Sequence, residues 1–467
     1  MAAKPARREK KKGQASCGHK IGANNKLILQ GFASFLISPP AIDLSERRQE
    51  FSPSTAQSAK WAKIEKTLAA AKGRLDPYAH DKGLAEALRA VDLYAGLKST
   101  IRRHYGGQAV TNAWLKMYEI TSEMGLVTAA RTPADVGLGH TYALRAFCNA
   151  ELPGAFICAL NHYLCVWHPE TRFEWVGSSL YPSSKDGSLS TDRILDGASS
   201  DILGDHYGLY AQNPDRWLMS PEMRGDVTNT ANIRALVAGA HARLGEVDLY
   251  TSDAGIEVSN DYVRQEELTA RIHLGQTVVG LMSLRVGGVM VVKTYTFVHP
   301  SSLSLMAVCA SAFDSFYVTK PVTSRPANSE VYIIGFGFRG LSSDFKEHLL
   351  AAVETFDFSR VLVSLEAPEA EATVSSLFTA AQQLHACQQV AFLSEAIAFY
   401  EAYRGKMSSL RAFLLPIARK VQAAWLKRNP VLQVSSSCLV VDDDVMKRWA
   451  KKEVDTAGGA PCADGPQ

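Results

Sequence analysis

Cysteine is scarce and scattered: eight residues in 467, at positions 17, 148, 158, 165, 309, 387, 438 and 462, with no repeating spacing. That density excludes a disulfide scaffold and predicts reduced thiols in an intracellular protein, cytoplasmic or nuclear. Cys158, Cys165 and His168 lie near one another, but six residues between the two thiols fit no common zinc pattern, and no metal is expected. Long hydrophobic runs are missing as well. The apolar stretch 31–42 is broken by Pro39-Pro40, and the run 277–292 contains Arg285 and Gly287-Gly288, so neither can span a bilayer and no membrane partner is expected. The N-terminus is basic but has no adjoining apolar segment, which argues against a secretory signal. The phosphate-cradling pattern GxxxxGK[ST] is absent and no GxGxxG occurs where a first strand turns into a helix, over 142–166, which argues against the usual dinucleotide and P-loop readings, a nicotinamide dehydrogenase among them.

Net charge is also low, at +3, and unevenly placed. Residues 1–20 carry seven Lys/Arg against Glu9, a balance of +6, so the rest of the chain is at −3. Any surface that binds a polyanion must then be a local patch on the folded part. With 46% hydrophobic and 21% charged residues the composition is that of an ordinary globular protein.

Residues 1–24 read as a disordered basic tail and 452–467 as a disordered Gly/Pro/Ala tail. Between 25 and 107 the pattern becomes helical, with Trp61, Ile64 and Leu68 spaced for a helix over 58–72 and Leu84, Leu88, Val91 and Leu97 for one over 83–103. A third helix is expected over about 109–124. From residue 142 short apolar strands alternate with longer helices. Strands are expected at 142–148, 173–177, 247–252, 289–292, 315–319 and 331–336, with helices at 155–166 and 262–285 and a polar surface insertion over 178–215. That alternation predicts an α/β fold around a doubly wound sheet. Residues 374–428 are again helical, within a mainly helical C-terminal region, 346–451.

Ligands of such sheets bind outside the carboxyl ends of the strands, so the residues that follow each strand carry the functional information. Asn149-Ala-Glu151-Leu-Pro153-Gly154-Ala155-Phe156 is a tight turn opening a helix. Asp253 ends one strand and Lys293 another; a lysine closing an all-apolar strand is poorly hydrated, which favours its neutral form. A Pro-punctuated loop, Lys320 to Glu330, delivers a carboxylate to the start of the last strand.

Ser324-Arg325-Pro-Ala-Asn-Ser-Glu330 before an apolar strand resembles the last motif of the FtsJ/RrmJ-type RNA ribose 2′-O-methyltransferases, nearest the cap-methylating branch and the FtsJ-like proteins of large DNA viruses. The other family elements follow in order: Thr111-Asn-Ala-Trp-Leu-Lys116-Met-Tyr-Glu119, the Pro153-Gly154 loop, Gly225-Asp226-Val-Thr228, Ser252-Asp253-Ala-Gly255 and Gly287-Gly288-Val-Met-Val-Val-Lys293. The resemblance implies a Rossmann-like methyltransferase sheet over 108–345, mostly parallel with its last strand antiparallel, and helical additions at both ends. It implies S-adenosyl-L-methionine as cofactor, held by Asn149, Glu151, Pro153, Gly154, Ala155, Phe156, Ser179, Asp226 and Asp253. Lys116, Asp253, Lys293 and Glu330 become the catalytic set. Lys293 would be the general base, Lys116 and Asp253 would orient the hydroxyl and the methyl donor, and Glu330 would position the lysines. The expected acceptor is the cap-proximal ribose of mRNA, with Lys320 and Arg325 contacting RNA. A viral chain would work in the host cytoplasm or virion. The cofactor loop departs from the family, whose loop usually begins with an acid; here that acid is lost or moved to Glu151, which leaves a catalytically impaired RNA-binding or partner subunit as the alternative. Trp167, Trp175 and Trp217 are the aromatic candidates for stacking on a cap guanine. The basic stretch 401–430 is either a solvated helix face or a phosphate contact.

Overall fold

A computed structural model describes residues 32–442, except 41–43, 45–51, 54–58, 79–80, 131–141, 182–204, 206, 221–223, 257 and 259–260. The two tails and the middle of the 178–215 stretch lie outside the described residues. Seven strands form one sheet: β1 (Ala33–Ile37), β2 (Tyr142–Asn149), β3 (Thr171–Ser178), β4 (Val247–Ser252), β5 (Leu284–Thr294), β6 (Phe313–Lys320) and β7 (Val331–Phe338). Their order is β1-β6-β7-β5-β4-β2-β3. Strands β3, β2, β4 and β5 pair in parallel, whereas β7 runs antiparallel to both β5 and β6, and β1 runs antiparallel to β6. The mixed sheet with its antiparallel last strand is the one expected.

The longer α-helices are α1 (Ala59–Gly73), α2 (Lys82–Ala90), α3 (Leu97–Tyr105), α4 (Asn112–Met124), α5 (Ala155–Trp167), α6 (Thr230–Leu244), α7 (Gln265–Ser283), α8 (Pro300–Ala312), α9 (Ser343–Glu354), α10 (Glu371–Ala381), α11 (Val390–Ala402) and α12 (Met407–Arg428). The single helix expected over 83–103 is two, because the chain turns at 91–96 to bury Leu93 and Tyr94. The expected 289–292 strand is longer and begins at Leu284, so α7 ends at Ser283 rather than at Gly287-Gly288. Strand β1 and helices α6 and α8 were not foreseen.

Alternation along the strands decides which side chains meet. Leu249, Val289, Val291, Tyr332 and Ile334 face the cluster that contains Trp114 of α4 and Phe156 and Leu160 of α5. Tyr250, Met290, Val292, Val331 and Ile333 face the opposite cluster, built with α6 to α9. By the same period of two, Lys293 and Glu330 fall on the α4 side of the sheet. The helices outside the sheet region join these clusters: Leu84, Leu97, Leu414 and Trp425 belong to the first and Trp61, Leu377 and Leu384 to the second.

Candidate active site

Helix α4 starts cleanly because the Thr111 hydroxyl accepts from the Trp114 N–H and stops at Gly125 in the left-handed region. Nearly all of its middle is buried, which brings Lys116 against the end of β7. Strand β4 ends at Ser252, so Asp253 emerges at its carboxyl end, beside the penultimate residue of β5, Lys293. Because β7 is antiparallel, its amino end reaches the same rim, and Glu330 immediately precedes it. Residues separated by more than 200 positions therefore converge.

They converge as two ion pairs. Lys116 Nζ lies 2.7 Å from Glu330 Oε1, with both side chains less than a tenth exposed. Lys293 Nζ lies 3.1 Å from Asp253 Oδ1 and donates to the Asp253 carbonyl at 2.7 Å. Tyr332 donates to Asp253 Oδ1 at 3.1 Å, and Ser324 donates to Glu330 Oε1 at 2.9 Å. Burial pushes the Glu330 carboxyl up, but Lys116 and Lys293 outweigh it and hold it well below the usual carboxylate range. Lys293 departs from expectation. Burial does favour its neutral form, but Asp253, Tyr295 and Glu330 together raise it above the ordinary lysine value, so it is protonated in the free protein.

The strand ends beside this cluster are braced by buried polar groups. Asn149 donates to Tyr250 Oη at 3.1 Å and to Ser252 Oγ at 3.2 Å, and accepts from Ser178 Oγ at 2.7 Å. Gln276 of α7 accepts from Ser252 Oγ at 2.7 Å and donates to the Lys293 carbonyl at 2.7 Å. Glu151 Oε1 receives the Phe156 and Ile157 N–H groups at 2.8 and 3.0 Å, capping α5; burial pushes its carboxyl up to about 8. Asn149 and Glu151 thus shape the loop with their side chains. Pro153 follows a cis peptide, Gly154 has φ +103°, and a Cβ there would lie 2.1 Å from Leu209 Cδ2, so only glycine fits. Ser179 Oγ accepts from the Leu152 N–H at 2.8 Å. Gly225 (φ +69°) approaches so closely that a Cβ would lie 2.1 Å from the Ser179 carbonyl. The next residue, Asp226, is held by the Thr228 N–H (2.8 Å) and hydroxyl (2.7 Å) through one carboxylate oxygen. The Pro-Gly loop, Ser179 and Asp226 therefore lie together outside the carboxyl ends of β2 and β3, next to Asp253, at the crevice where ligands of such sheets bind.

Lys320 is a correction. Its ammonium turns inward onto the Asn328 carbonyl (3.0 Å), Asn328 Oδ1 (3.1 Å) and the Glu330 carbonyl (2.7 Å), and burial pushes it down to about 8. It braces the Glu330 loop, and its ammonium is engaged within the protein instead of being turned out to RNA. Arg325, on the same loop, is exposed, with Asp92 and Lys98 as electrostatic neighbours. Among the tryptophans, Trp175 and Trp217 are buried and Trp167 is 42% exposed. Trp167, the last residue of α5, donates its indole N–H to Tyr118 Oη at 3.3 Å and is the one of the three with an exposed ring face. In α12, Leu410, Leu414, Val421 and Trp425 pack inward, and Arg411 and Arg428 pair with Glu86 and Glu123. Arg419, Lys420 and Lys427 stay exposed. Sequence reasoning missed Tyr332, Ser324, Gln276 and Tyr250, whose roles arise only from tertiary pairing.

The FtsJ-like methyltransferase family model matches residues 109–338. The chain is 38% identical over 357 residues to the "Probable methyltransferase EP424R" of African swine fever virus, covering 75% of this chain and 77% of that one. It is 30% identical over 263 residues to the "Uncharacterized protein L511" of Acanthamoeba polyphaga mimivirus, covering 56% of this chain and 30% of that one. It is 28% identical over 278 residues to the "Cap-specific mRNA (nucleoside-2'-O-)-methyltransferase 2" of Drosophila melanogaster, covering 58% of this chain and 36% of that one. With its sheet, its crevice and these similarities, the chain belongs to the FtsJ-like methyltransferase family.

Proposed function

We propose that the chain is an S-adenosylmethionine-dependent RNA ribose 2′-O-methyltransferase that acts on the cap-proximal nucleotide of mRNA. The observation that carries this reading is the buried pairing of Lys116 with Glu330 beside that of Lys293 with Asp253. A ribose hydroxyl is a poor nucleophile until its proton is removed, and two lysines held by two carboxylates are suited to that work. The similarity to cap-specific mRNA 2′-O-methyltransferases supports RNA as the partner and the ribose as the acceptor.

The cofactor fits where ligands of such sheets bind, outside the carboxyl ends of β2 and β3, and there Asp226 keeps one carboxylate oxygen outside its Thr228 contacts, as an acceptor for a ligand. Pro153, Gly154, Ala155, Phe156 and Ser179 would border the cofactor, Asp226 would accept a hydrogen bond from its adenine, and Asp253 would face its methionyl end. S-adenosylmethionine, when bound, supplies an electrophilic methyl group on a cationic sulfonium. Lys293 takes the 2′-OH proton onto Nζ as the hydroxyl oxygen attacks. Lys116 and Asp253 orient that hydroxyl, and Glu330 fixes Lys116. The four side chains sum to zero charge when both lysines are protonated, so an added cation favours loss of a proton from Lys293.

RNA would enter over exposed Arg325, with Lys98 and Arg102 of α3 nearby. The test is methyl transfer from labelled cofactor to capped, uncapped and 2′-deoxy capped RNA, with the modified nucleoside identified. Label on the 2′-oxygen of capped RNA alone is expected. Equal incorporation into the 2′-deoxy substrate, recovered on the base, would overturn the reading.

A further inference from the structure

Glu119 lies on α4 one turn beyond Lys116 and outside the four-residue cluster. Its side chain is 1% exposed, yet its carboxylate accepts four hydrogen bonds. Oε1 takes the Val322 N–H at 2.8 Å, and Oε2 takes the Thr323 N–H at 3.2 Å, the Thr323 hydroxyl at 2.7 Å and the Trp425 indole N–H at 3.2 Å. A carboxylate this deep is costly to bury, and the four hydrogen bonds offset part of that cost.

The partners are what matter. Val322 and Thr323 belong to the loop between β6 and β7 that ends at Glu330. Helix α4 therefore grips this loop at both ends, through Glu119 near its start and through Lys116 at Glu330. Ser324, the residue after Thr323, donates to the same Glu330 oxygen that Lys116 holds. A shift of residues 322–323 would thus pass directly to Ser324 and from it to the Lys116–Glu330 pair. Two further groups steady the loop from outside the family-matched segment. Trp425 of α12 shares the Glu119 carboxylate, and Gln389 donates to the Ala327 carbonyl at 2.9 Å and accepts from Ser329 Oγ at 3.2 Å.

We propose that Glu119 is a positioning residue for methyl transfer, setting the Ser324–Glu330–Lys116 contact and coupling it to the C-terminal helix α12 through Trp425. The catalytic part of this inference rests on the methyltransferase reading above; the loop clamp itself does not. A substitution that keeps the shape but replaces Oε2 with an NH₂ group would set donor against donor at the Thr323 and Trp425 N–H groups.

The test uses the full chain with Glu119→Gln, and with Trp425→Phe and Thr323→Val, each of which removes one donor and serves should the first fail to fold. Three readouts are taken: amide hydrogen exchange over 321–330, the ¹³C titration of the Glu330 carboxyl, and kcat, KM for RNA and cofactor Kd. Expected for Glu119→Gln are at least tenfold faster exchange confined to 321–330, and a Glu330 midpoint moved up toward an ordinary carboxylate. With these goes a kcat lower by about 10- to 100-fold, the scale of a small misplacement of reacting groups, with KM and Kd within twofold. The two single-donor variants should move the same readouts less. Native exchange and a native Glu330 titration overturn the clamp whatever the activity. Fast exchange with native kcat overturns the positioning role. A wild-type chain that transfers no methyl group overturns the methyltransferase reading instead, and exchange and titration still decide the clamp.

Discussion

Replacing Lys116 by Met should separate stability from chemistry. The Lys116–Glu330 pair is 2.7 Å apart and almost wholly buried. At that distance, with an effective dielectric constant of ~20, the attraction is about 6 kcal/mol. Removing both ions from water costs several kcal/mol each, so the intact pair roughly breaks even. Lys116→Met removes the attraction but leaves the Glu330 carboxylate in place. Breaking a buried pair from one side costs about 3–5 kcal/mol; here Lys293 and the Ser324 hydroxyl still face Glu330, which brings the expected loss to about 2–4 kcal/mol. Adding Glu330→Gln removes the stranded charge and keeps an acceptor for Ser324, so the double variant should recover to within about 1 kcal/mol of the native chain. The assay is urea denaturation at neutral pH, comparing midpoints across the four-member cycle. The single variant should also lose less stability as the pH is lowered, because Glu330 without Lys116 takes up a proton sooner. Both variants should be inactive in methyl transfer, the double variant while stably folded. A single variant within about 0.5 kcal/mol of native, or a double variant no more stable than the single one, would refute the argument.

Lys293→Met should abolish methyl transfer while the cofactor binds no more weakly than to the native chain, since a repelling cation is removed, by calorimetry and a labelled-cofactor assay; turnover near the native rate at saturating RNA would end its assignment as the base. Asp226→Ala should weaken cofactor binding by about 1–3 kcal/mol, the loss of a hydrogen bond to a charged group, and an unchanged Kd would remove it from the crevice. Gly225→Ala, with its Cβ 2.1 Å from the Ser179 carbonyl, should push the Asp226 turn off the segment after β3 and weaken cofactor binding at least as much. Stability should rise as the pH falls from about 7.5 to about 6.5. Burial pushes Glu119, Glu151 and Glu266 up to about 7, 8 and 7, so across that range the folded chain binds protons that the unfolded chain, with carboxyls near 4.5, does not. Below about 6.5 the gain should level off, because His162, His273 and His385, pushed by burial to about 4, 3 and 3, stay neutral in the fold while the unfolded chain charges them. A urea midpoint that falls steadily from about pH 7.5 to 6.5 would contradict this.

Much of the sheet was legible because its central strands are buried on both faces, so that one reads as the apolar run Val289–Val292; β4, buried at every position though half polar, matches its expected limits residue for residue. Strand β1 was not legible. Its five residues sit among irregular ones, two of the five are exposed, and only pairing with β6 makes them a strand. Helix α8 was missed for the opposite reason: it is buried nearly all round, so it has no polar stripe from which a helical period can be read. The inward turn of Lys320 was hidden because its acceptors, the Asn328 and Glu330 carbonyls, are backbone groups, and a side-chain pattern carries no record of them.

Lys293 shows where residue-by-residue reading ends and the fold begins. Its local sequence, an apolar strand ending in lysine, argues for a depressed pKa, and burial does act in that direction. The opposing charges come from elsewhere: Asp253 from the neighbouring strand 40 residues earlier, and Glu330 from the amino end of an antiparallel strand. Strand order brings them within reach, and no property of residues 284–294 encodes it. The same arrangement keeps the four-residue cluster electrically neutral with both lysines charged, which is the condition under which it can be buried at all. A base that is charged at rest and becomes neutral only when another cation enters is inactive toward the hydroxyl until the methyl donor is present. The rate at limiting cofactor should therefore rise with pH over a higher range than the rate at saturation, since kcat/KM reports the free enzyme and kcat the complex. Identical pH profiles for the two would mean that cofactor binding leaves Lys293 as it is in the free protein, and the base would have to be sought elsewhere.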